Sequence, residues 1–286
     1  MLIGVKLDIG FHENDSYRRL FGHENVFELF TRMGIRAVET AVGPETDFAA
    51  LSEHTHLCAA AGYRVSFHPY TELTPFNPAY FTRANGRGRH FHTRVFLAAE
   101  EAAERQGCPA IVNIHGAAAP LGEDRAVLLD ESIRFFTWAR EWCLENAPRV
   151  TPVAELQFQP FADETVHRIG DRYDELMEIV TRAEVGACLD FGHAFMNAER
   201  FGRPLAPQAE FLEKIVHIHC HDARDIDHYP LVFDRVPWRR LLSSVIEVGF
   251  DGTVILEVPP ENFLKAGGLD ALARSIEKLN AFAAGS

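Results

Sequence analysis

Residues 215–222 read Ile215-Val216-His217-Ile218-His219-Cys220-His221-Asp222, three histidines at alternate positions of an apolar run that ends in an acid. In a strand, residues i, i+2 and i+4 project to one face, so the three imidazoles point the same way, and neutral imidazole is the commonest protein ligand for divalent transition metals. A polar strand face with ordinary hydrogen-bonded histidines would read the same, so the run has to be weighed with its company. Val153-Ala154-Glu155, Gly186-Ala187-Cys188-Leu189-Asp190 with His193 three residues on, and Val254-Ile255-Leu256-Glu257 are further apolar runs ending in a residue able to bind a metal. With His219 they form a carboxylate, carboxylate, imidazole, carboxylate series, Glu155, Asp190, His219 and Glu257. Hard oxygen ligands mixed with imidazole suit Mg, Mn, Co or Zn better than a thiolate-loving site.

These residues need elements that present them together. Short apolar, β-branched segments alternate with longer amphipathic ones along the whole chain, eight of each. Strands are expected over 3–8, 37–40, 64–68, 110–115, 151–156, 185–190, 215–221 and 253–258. Helices are expected over 26–33, 48–61, 93–106, 125–146, 173–183, 208–213, 238–248 and 269–283. Such alternation implies a parallel sheet, and eight units imply closure into an α/β barrel, a (β/α)8 TIM barrel. Gly34, Gly62 and Gly107 stand just past helix ends and Gly249 stands before the last strand, as this scheme requires. An open doubly wound sheet would want a glycine-rich phosphate turn after the first strand, and Asp8-Ile9-Gly10-Phe11-His12 does not supply GxGxxG. No linker-like or low-complexity tract interrupts the chain, so a single domain over 1–286 is the economical reading. In a barrel every ligand named above falls at the C-terminal end of its strand, where barrel active sites sit, and strands five to eight make one continuous arc.

Composition narrows the partners. The chain has 286 residues, 47% of them hydrophobic, enough for a barrel of about 250 residues with a full core. Its formal charge of −13 argues against a broad nucleic-acid footprint. No apolar stretch approaches the roughly 20 residues needed to span a bilayer, and Met1-Leu2-Ile3-Gly4-Val5-Lys6-Leu7 has no basic segment leading a long apolar one. The five cysteines, Cys58, Cys108, Cys143, Cys188 and Cys220, are odd in number and lack CxxC spacing, which reads as reduced thiols in a cytoplasmic protein. The sequence leaves homo-oligomerisation through the outer helices open.

Further histidines extend the arc: His68 ends the third strand, His115 ends the fourth, and His228 follows the seventh within Asp225-Ile226-Asp227-His228. The long connection 71–92 carries Arg83, Arg87, Arg89, His90 and His92, with Arg94 beside it. Loops this long are usually lids or binding loops, and a basic cluster beside the site would suit an anionic, phosphorylated substrate, with Arg89 among its contacts; a solvated loop would carry the same charges.

From Leu189-Asp190-Phe191-Gly192-His193 through Val216-His217-Ile218-His219-Cys220-His221-Asp222 to Gly249-Phe250-Asp251-Gly252-Thr253-Val254-Ile255-Leu256-Glu257, the chain resembles the xylose isomerase-like barrels. These include sugar and sugar-phosphate isomerases and epimerases and the endonuclease IV group (AP endonuclease family 2), and the likeness spans nearly the whole chain. The resemblance implies Glu155, Asp190, His219 and Glu257 as metal ligands, with His219 preferred because Asp222 follows it by three, as in the family's HxxD motif. It implies His193 as a substrate-contacting or second-metal histidine.

The two branches of the family imply different chemistry. In the isomerase branch one divalent ion binds an α-hydroxy carbonyl substrate and two carboxylates, here Glu155 and Glu257, exchange a proton through an enediolate. The ketohexose 3-epimerase pattern has a second Glu six residues past the first and an Arg six past the His, where this chain has Phe161 and Asp225. In the endonuclease IV branch up to three zinc ions activate water against a phosphodiester, and His68, His115, His193 and His228 match the extra ligands. The aspartate expected two before the last of these is replaced by Ile226, flanked by Asp225 and Asp227. The first expectation is therefore a metal-dependent isomerase, epimerase or related lyase on a sugar-like substrate, with His68, His115, Arg89 and His228 as its contacts; the second is a multi-zinc phosphoester hydrolase.

Overall fold

The computed structural model describes residues 1–159 and 166–285, so Phe161 lies outside the described residues. Its strands, numbered along the chain, are β1 (Leu2–Lys6), β2 (Ala37–Val42), β3 (Arg64–Pro69), β4 (Ala110–His115), β5 (Ala118–Pro120), β6 (Val150–Glu155), β7 (Val166–Arg168), β8 (Gly186–Asp190), β9 (Ile215–Cys220) and β10 (Thr253–Leu256). Eight of them close a parallel barrel in the order β1-β10-β9-β8-β6-β4-β3-β2, which is the (β/α)8 architecture. The other two, β5 and β7, pair antiparallel as a small ribbon, Ala118 opposite Arg168 and Pro120 opposite Val166.

Alternation along the strands sorts the side chains. Val5, Val38, Val65, Phe67, Val112, Ile114, Leu189, Ile218 and Val254 are buried and face the helical layer, as strands covered on both sides require. The inward positions between them carry Glu39, Ser66, His68, Asn113, Glu155, Asp190, His217 and His219, all buried as well. Barrel interiors are ordinarily filled by branched aliphatic side chains, so this polar column is the fold's main departure from the common pattern.

Side-chain caps start several helices. Asn14, Asn25, Asp47 and Asp124 accept main-chain N–H groups of the first turns that follow them. Gly34, Gly62, Gly107 and Gly249 all have positive φ, as their places after helix ends or before a strand predict.

Three helices were not anticipated: Asp15–Phe21, Phe191–Phe201 and Pro260–Lys265. The expected helix over 208–213 shortens to Ala209–Leu212. The segment 71–92 is not one long loop. Pro78–Tyr80 forms a 3-10 turn, and the helix expected from 93 begins at Arg87 and runs to Gln106. No helix among the described residues is long and apolar enough to cross a membrane, and the five cysteines are unpaired.

Candidate metal centre and active site

The C-terminal ends of the strands bring the expected ligands together. Glu155 and Asp190 end β6 and β8, His219 is the penultimate residue of β9, and Glu257 directly follows β10. Donor atoms of His68, Glu155, His219 and Glu257 lie within 4.8 Å of one another, and so do those of Asp190, His193, His221 and His228.

His219 is the hub. Its Nδ1 lies 2.8 Å from Glu257 Oε2, 3.4 Å from Glu155 Oε1 and 3.7 Å from Asp190 Oδ2. Yet neither His219 Nδ1 nor Glu155 Oε1 has a hydrogen-bond partner, although both are buried. Three buried carboxylates converging on one imidazole lone pair without hydrogen-bond geometry is costly unless a cation sits among them. The residues present therefore fit a divalent metal; of the expected ligands, Glu155, His219 and Glu257 fall in one donor group with His68, while Asp190 falls in the neighbouring group, 3.7 Å from His219 Nδ1.

The electrostatics point the same way. Burial works against the charge on Glu257, but His219 and His228 override it and hold the carboxyl well below the usual range. Glu155 behaves alike, burial being outweighed by His115, His219 and His68. Burial should likewise keep His193 neutral, but Asp190, with Asp227 and Glu155, lifts it to about 9. The site is thus a pool of negative charge that recruits positive charge, from protons or from a metal.

Each flanking histidine is aimed by the bond its other nitrogen makes. His68 Nδ1–H donates to the Asn113 carbonyl at 2.8 Å, which turns Nε2 toward Glu155 at 3.3 Å and Glu257 at 3.9 Å. His115 Nε2 is 3.3 Å from the same Glu155 Oε2 and has no hydrogen-bond partner. His193 Nδ1–H donates to the Leu156 carbonyl at 2.8 Å, leaving Nε2 3.5 Å from Asp227. His228 spans Asp227, 2.9 Å from Nδ1, and Glu257, 3.1 Å from Nε2. It does so from a left-handed backbone conformation with φ of 57°, uncommon outside glycine.

His193 owes its place to the unanticipated helix Phe191–Phe201. Asp190 is both the last strand residue and the helix N-cap, its Oδ1 accepting the His193 N–H at 2.7 Å. His217 and His221, left open by the sequence, are engaged elsewhere. His221 Nδ1 accepts the His228 main-chain N–H at 2.9 Å, so its proton resides on Nε2, 3.0 Å from Asp190 Oδ1. Gly192 makes room for this ring, because a Cβ there would run into His221. His217 Nε2 instead meets Glu39 at 2.8 Å.

Several site residues escaped sequence reasoning. Asp227, not Ile226, supplies the inward acid before His228, while Asp225 is exposed. Asp222 accepts four main-chain N–H groups, from Ala223, Phe233, Arg235 and Val236, at 2.9–3.1 Å, so it shapes this loop and binds no metal. Tyr70 donates its hydroxyl to Glu257 Oε1 at 2.5 Å, and Asn113 donates its amide to Glu155 Oε2. Glu39 is buried on the inner face of β2; the acid in Ala37-Val38-Glu39-Thr40-Ala41-Val42 was the signal that could have found it.

Arg89 does not join the cluster. It is exposed on the outer helix Arg87–Gln106, its guanidinium 4.7 Å over the Phe81 ring and 5.9 Å from that of Trp138. Nor do its neighbours form a basic patch at the site, since Arg83 pairs with Glu123 and Arg94 stacks on Phe48. The helix turns Arg89 and Arg94 outward; the expectation counted charge without direction. The cation at the mouth is Arg168 of β7, paired with Glu72. Both border a cavity of about 170 Å³ over the centre, walled by His68, His115, His193, His228 and Phe158.

The sequence profile of the xylose isomerase-like TIM barrels matches residues 27–282, and the chain belongs to that family. No curated protein matches it in sequence. Among solved structures it is similar to the E. coli 3-keto-D-glucoside 4-epimerase YcjR, with 16% identity, TM-score 0.61, and 96% of this chain and 98% of that one covered. It is also similar to the Clostridium cellulolyticum H10 D-psicose 3-epimerase solved with D-tagatose, with 14% identity, TM-score 0.65 and coverage of 99% and 98%. A third is the IolI protein solved with a bound zinc atom, with 14% identity, TM-score 0.60 and coverage of 97% and 96%. At these identities the likeness is one of fold.

Proposed function

We propose that the protein is a divalent-metal-dependent isomerase or epimerase acting on a sugar-like α-hydroxy carbonyl compound. The observation that carries this reading is the convergence of Glu155, Asp190, Glu257 and the unpartnered His219 Nδ1 beneath a cavity of about 170 Å³, the scale of a single sugar unit. A Mn, Mg, Co or Zn ion held there supplies the positive charge that polarises the substrate carbonyl and lowers the cost of an enediolate. Glu155 ends β6 and Glu257 follows β10, with β8 and β9 between those strands; Glu257 lines the cavity, and Glu155 lies behind two of its lining residues, His68 and His115. One carboxylate takes the carbon-bound proton and the other returns a proton, to the neighbouring carbon in an isomerase or to the opposite face in an epimerase. Tyr70, donating to Glu257, holds that carboxylate in place. His68, His115, His193 and His228 wall the cavity in which the substrate hydroxyls would lie, and Phe158, stacked on His193 at 4.7 Å, gives it an apolar side.

The test combines metal counting with proton exchange. Protein purified without chelator is analysed by elemental mass spectrometry and then incubated with ketoses, aldoses and their phosphates in D2O. About one metal per chain, with deuterium appearing at a carbon next to the carbonyl, is the expected result. A metal-loaded protein that exchanges no substrate proton across that set overturns the reading.

A second reading has its own observation. Asp190, His193 and His228 stand together beside the first group, with His221 bonded to Asp190, Asp227 against His193, and His68 and His115 against Glu155. That supply exceeds the needs of one ion and suits a multi-zinc phosphoester hydrolase. Two or three zinc ions per chain with cleavage of abasic DNA or a smaller phosphodiester would select it.

A further inference from the structure

Glu39 lies below the metal-facing atoms, inside the barrel, and takes no part in the cavity. Between β2, which carries it, and β9 stand β1 and β10, so it reaches the histidines across the barrel interior. Its Oε1 is 2.6 Å from His219 Nε2, and its Oε2 is 2.8 Å from His217 Nε2 and accepts the Ser66 hydroxyl at 2.9 Å. Asn113 Nδ2 also approaches His219 Nε2, at 3.3 Å, but its short hydrogen bond goes to Glu155. Glu39 Oε1 is buried without a hydrogen-bond partner of good geometry, and at 2.6 Å two facing lone pairs are avoided only with the proton on Nε2. The opposite nitrogen, Nδ1, faced by the three carboxylates of Glu155, Asp190 and Glu257, is the side a cation would occupy.

We infer that Glu39 is a positioning residue for the metal centre: it keeps the His219 proton on Nε2 and fixes the ring so that the Nδ1 lone pair faces the metal. His217 and Ser66 serve it in turn by holding the carboxylate in the middle of the barrel. A ligating histidine whose other N–H is bound by a carboxylate is both oriented and made more basic, and loss of such a partner typically weakens metal binding 10–100-fold. Glutamine cannot replace the acid here. Its oxygen would serve one histidine, while its amide would face the Nε2–H of the other and favour the tautomer with the proton on the wrong nitrogen.

The inference rests on the reading of the cluster as a metal centre but not on any reaction. The first experiment uses the wild-type protein with 15N-labelled histidine, loaded with Zn, and long-range 15N–1H correlation spectra. The expected signature for His219 is a protonated Nε2 and a metal-shifted Nδ1. Coordination through Nε2, or no zinc binding at all, overturns the inference. The second measures zinc affinity of Glu39→Gln by competition with a chromophoric chelator. A 10–100-fold loss is expected, and affinity within about twofold of wild type overturns the inference. Should Glu39→Gln fail to fold, the wild-type spectrum still decides. Turnover enters neither readout, so a failed isomerase assay leaves the inference standing.

Discussion

Two populations of buried histidine share this barrel. His54 and His92 sit in the outer helices Phe48–Ala60 and Arg87–Gln106 and meet only uncharged groups, His54 the Thr40 hydroxyl at 3.0 Å and the Cys58 thiol at 3.8 Å, His92 the Gly88 carbonyl at 2.9 Å. Burial lowers both to about 4. At the rim, His193 and His219 are as thoroughly buried and His228 is 26% exposed, and all three move the opposite way: burial opposes the charge, but the neighbouring acids, Cys188 with the carboxylates for His219 and the carboxylates for His193 and His228, prevail. Burial alone therefore does not mark a ligand. The rim histidines differ in keeping a ring nitrogen aimed at shared carboxylates while the other nitrogen is tied down.

The severest way to break this contrast is to remove a rim carboxylate. Glu257→Gln takes away a metal ligand, a proton carrier and the acceptor for Tyr70, and should lower turnover by about a thousandfold while circular dichroism remains that of a folded barrel. Normal activity would remove the site from consideration. A smaller effect is expected from Gly192→Ala, which forces a methyl into the His221 ring that orients Asp190. It should cost roughly 1–3 kcal/mol in a denaturant melt and weaken metal binding, whereas a neutral result would mean that the close contact is relieved cheaply.

The outer population is sharpened by pH. Since the folded pKa of His92 lies below its unfolded value of 6.5, its stabilising contribution is complete above pH 6.5 and is lost as pH falls toward 4. In His92→Leu the fall in stability near pH 5 should be shallower by about 1 kcal/mol per pH unit, read from urea melts across that window. Identical slopes would place the buried histidine's influence elsewhere. The smallest effect belongs to Arg89→Ala, where KM should stay within about twofold and stability should drop by about 0.5 kcal/mol from the lost ring contacts. A large rise in KM would return the 71–92 segment to the site.

Why the sequence disclosed some of this and not the rest follows from how each residue gets its direction. Glu155, Asp190, His219 and Glu257 sit in or just past apolar runs, where a period of two sets the facing and strand polarity sets the end. Arg89 shows the limit: the helix that carries it begins at Arg87, earlier than its apolar pattern suggests, and rotation about that helix decides where the charge goes. Asp227 was hidden because the four main-chain bonds to Asp222 determine which of three neighbouring residues turns inward. The Glu39 partnership was hidden because only ring closure brings β2 opposite β9, a pairing with |i−j| of 178 for Glu39 and His217.

The left-handed backbone at His228 has a consequence for anyone improving this protein. A non-glycine residue held there carries strain on the order of 1 kcal/mol, so His228→Gly offers relief that a screen for heat tolerance would reward. Selection on robustness alone would drift toward a sturdier barrel that has discarded its link between Asp227 and Glu257. Libraries at this position should be scored on metal retention before they are scored on melting temperature.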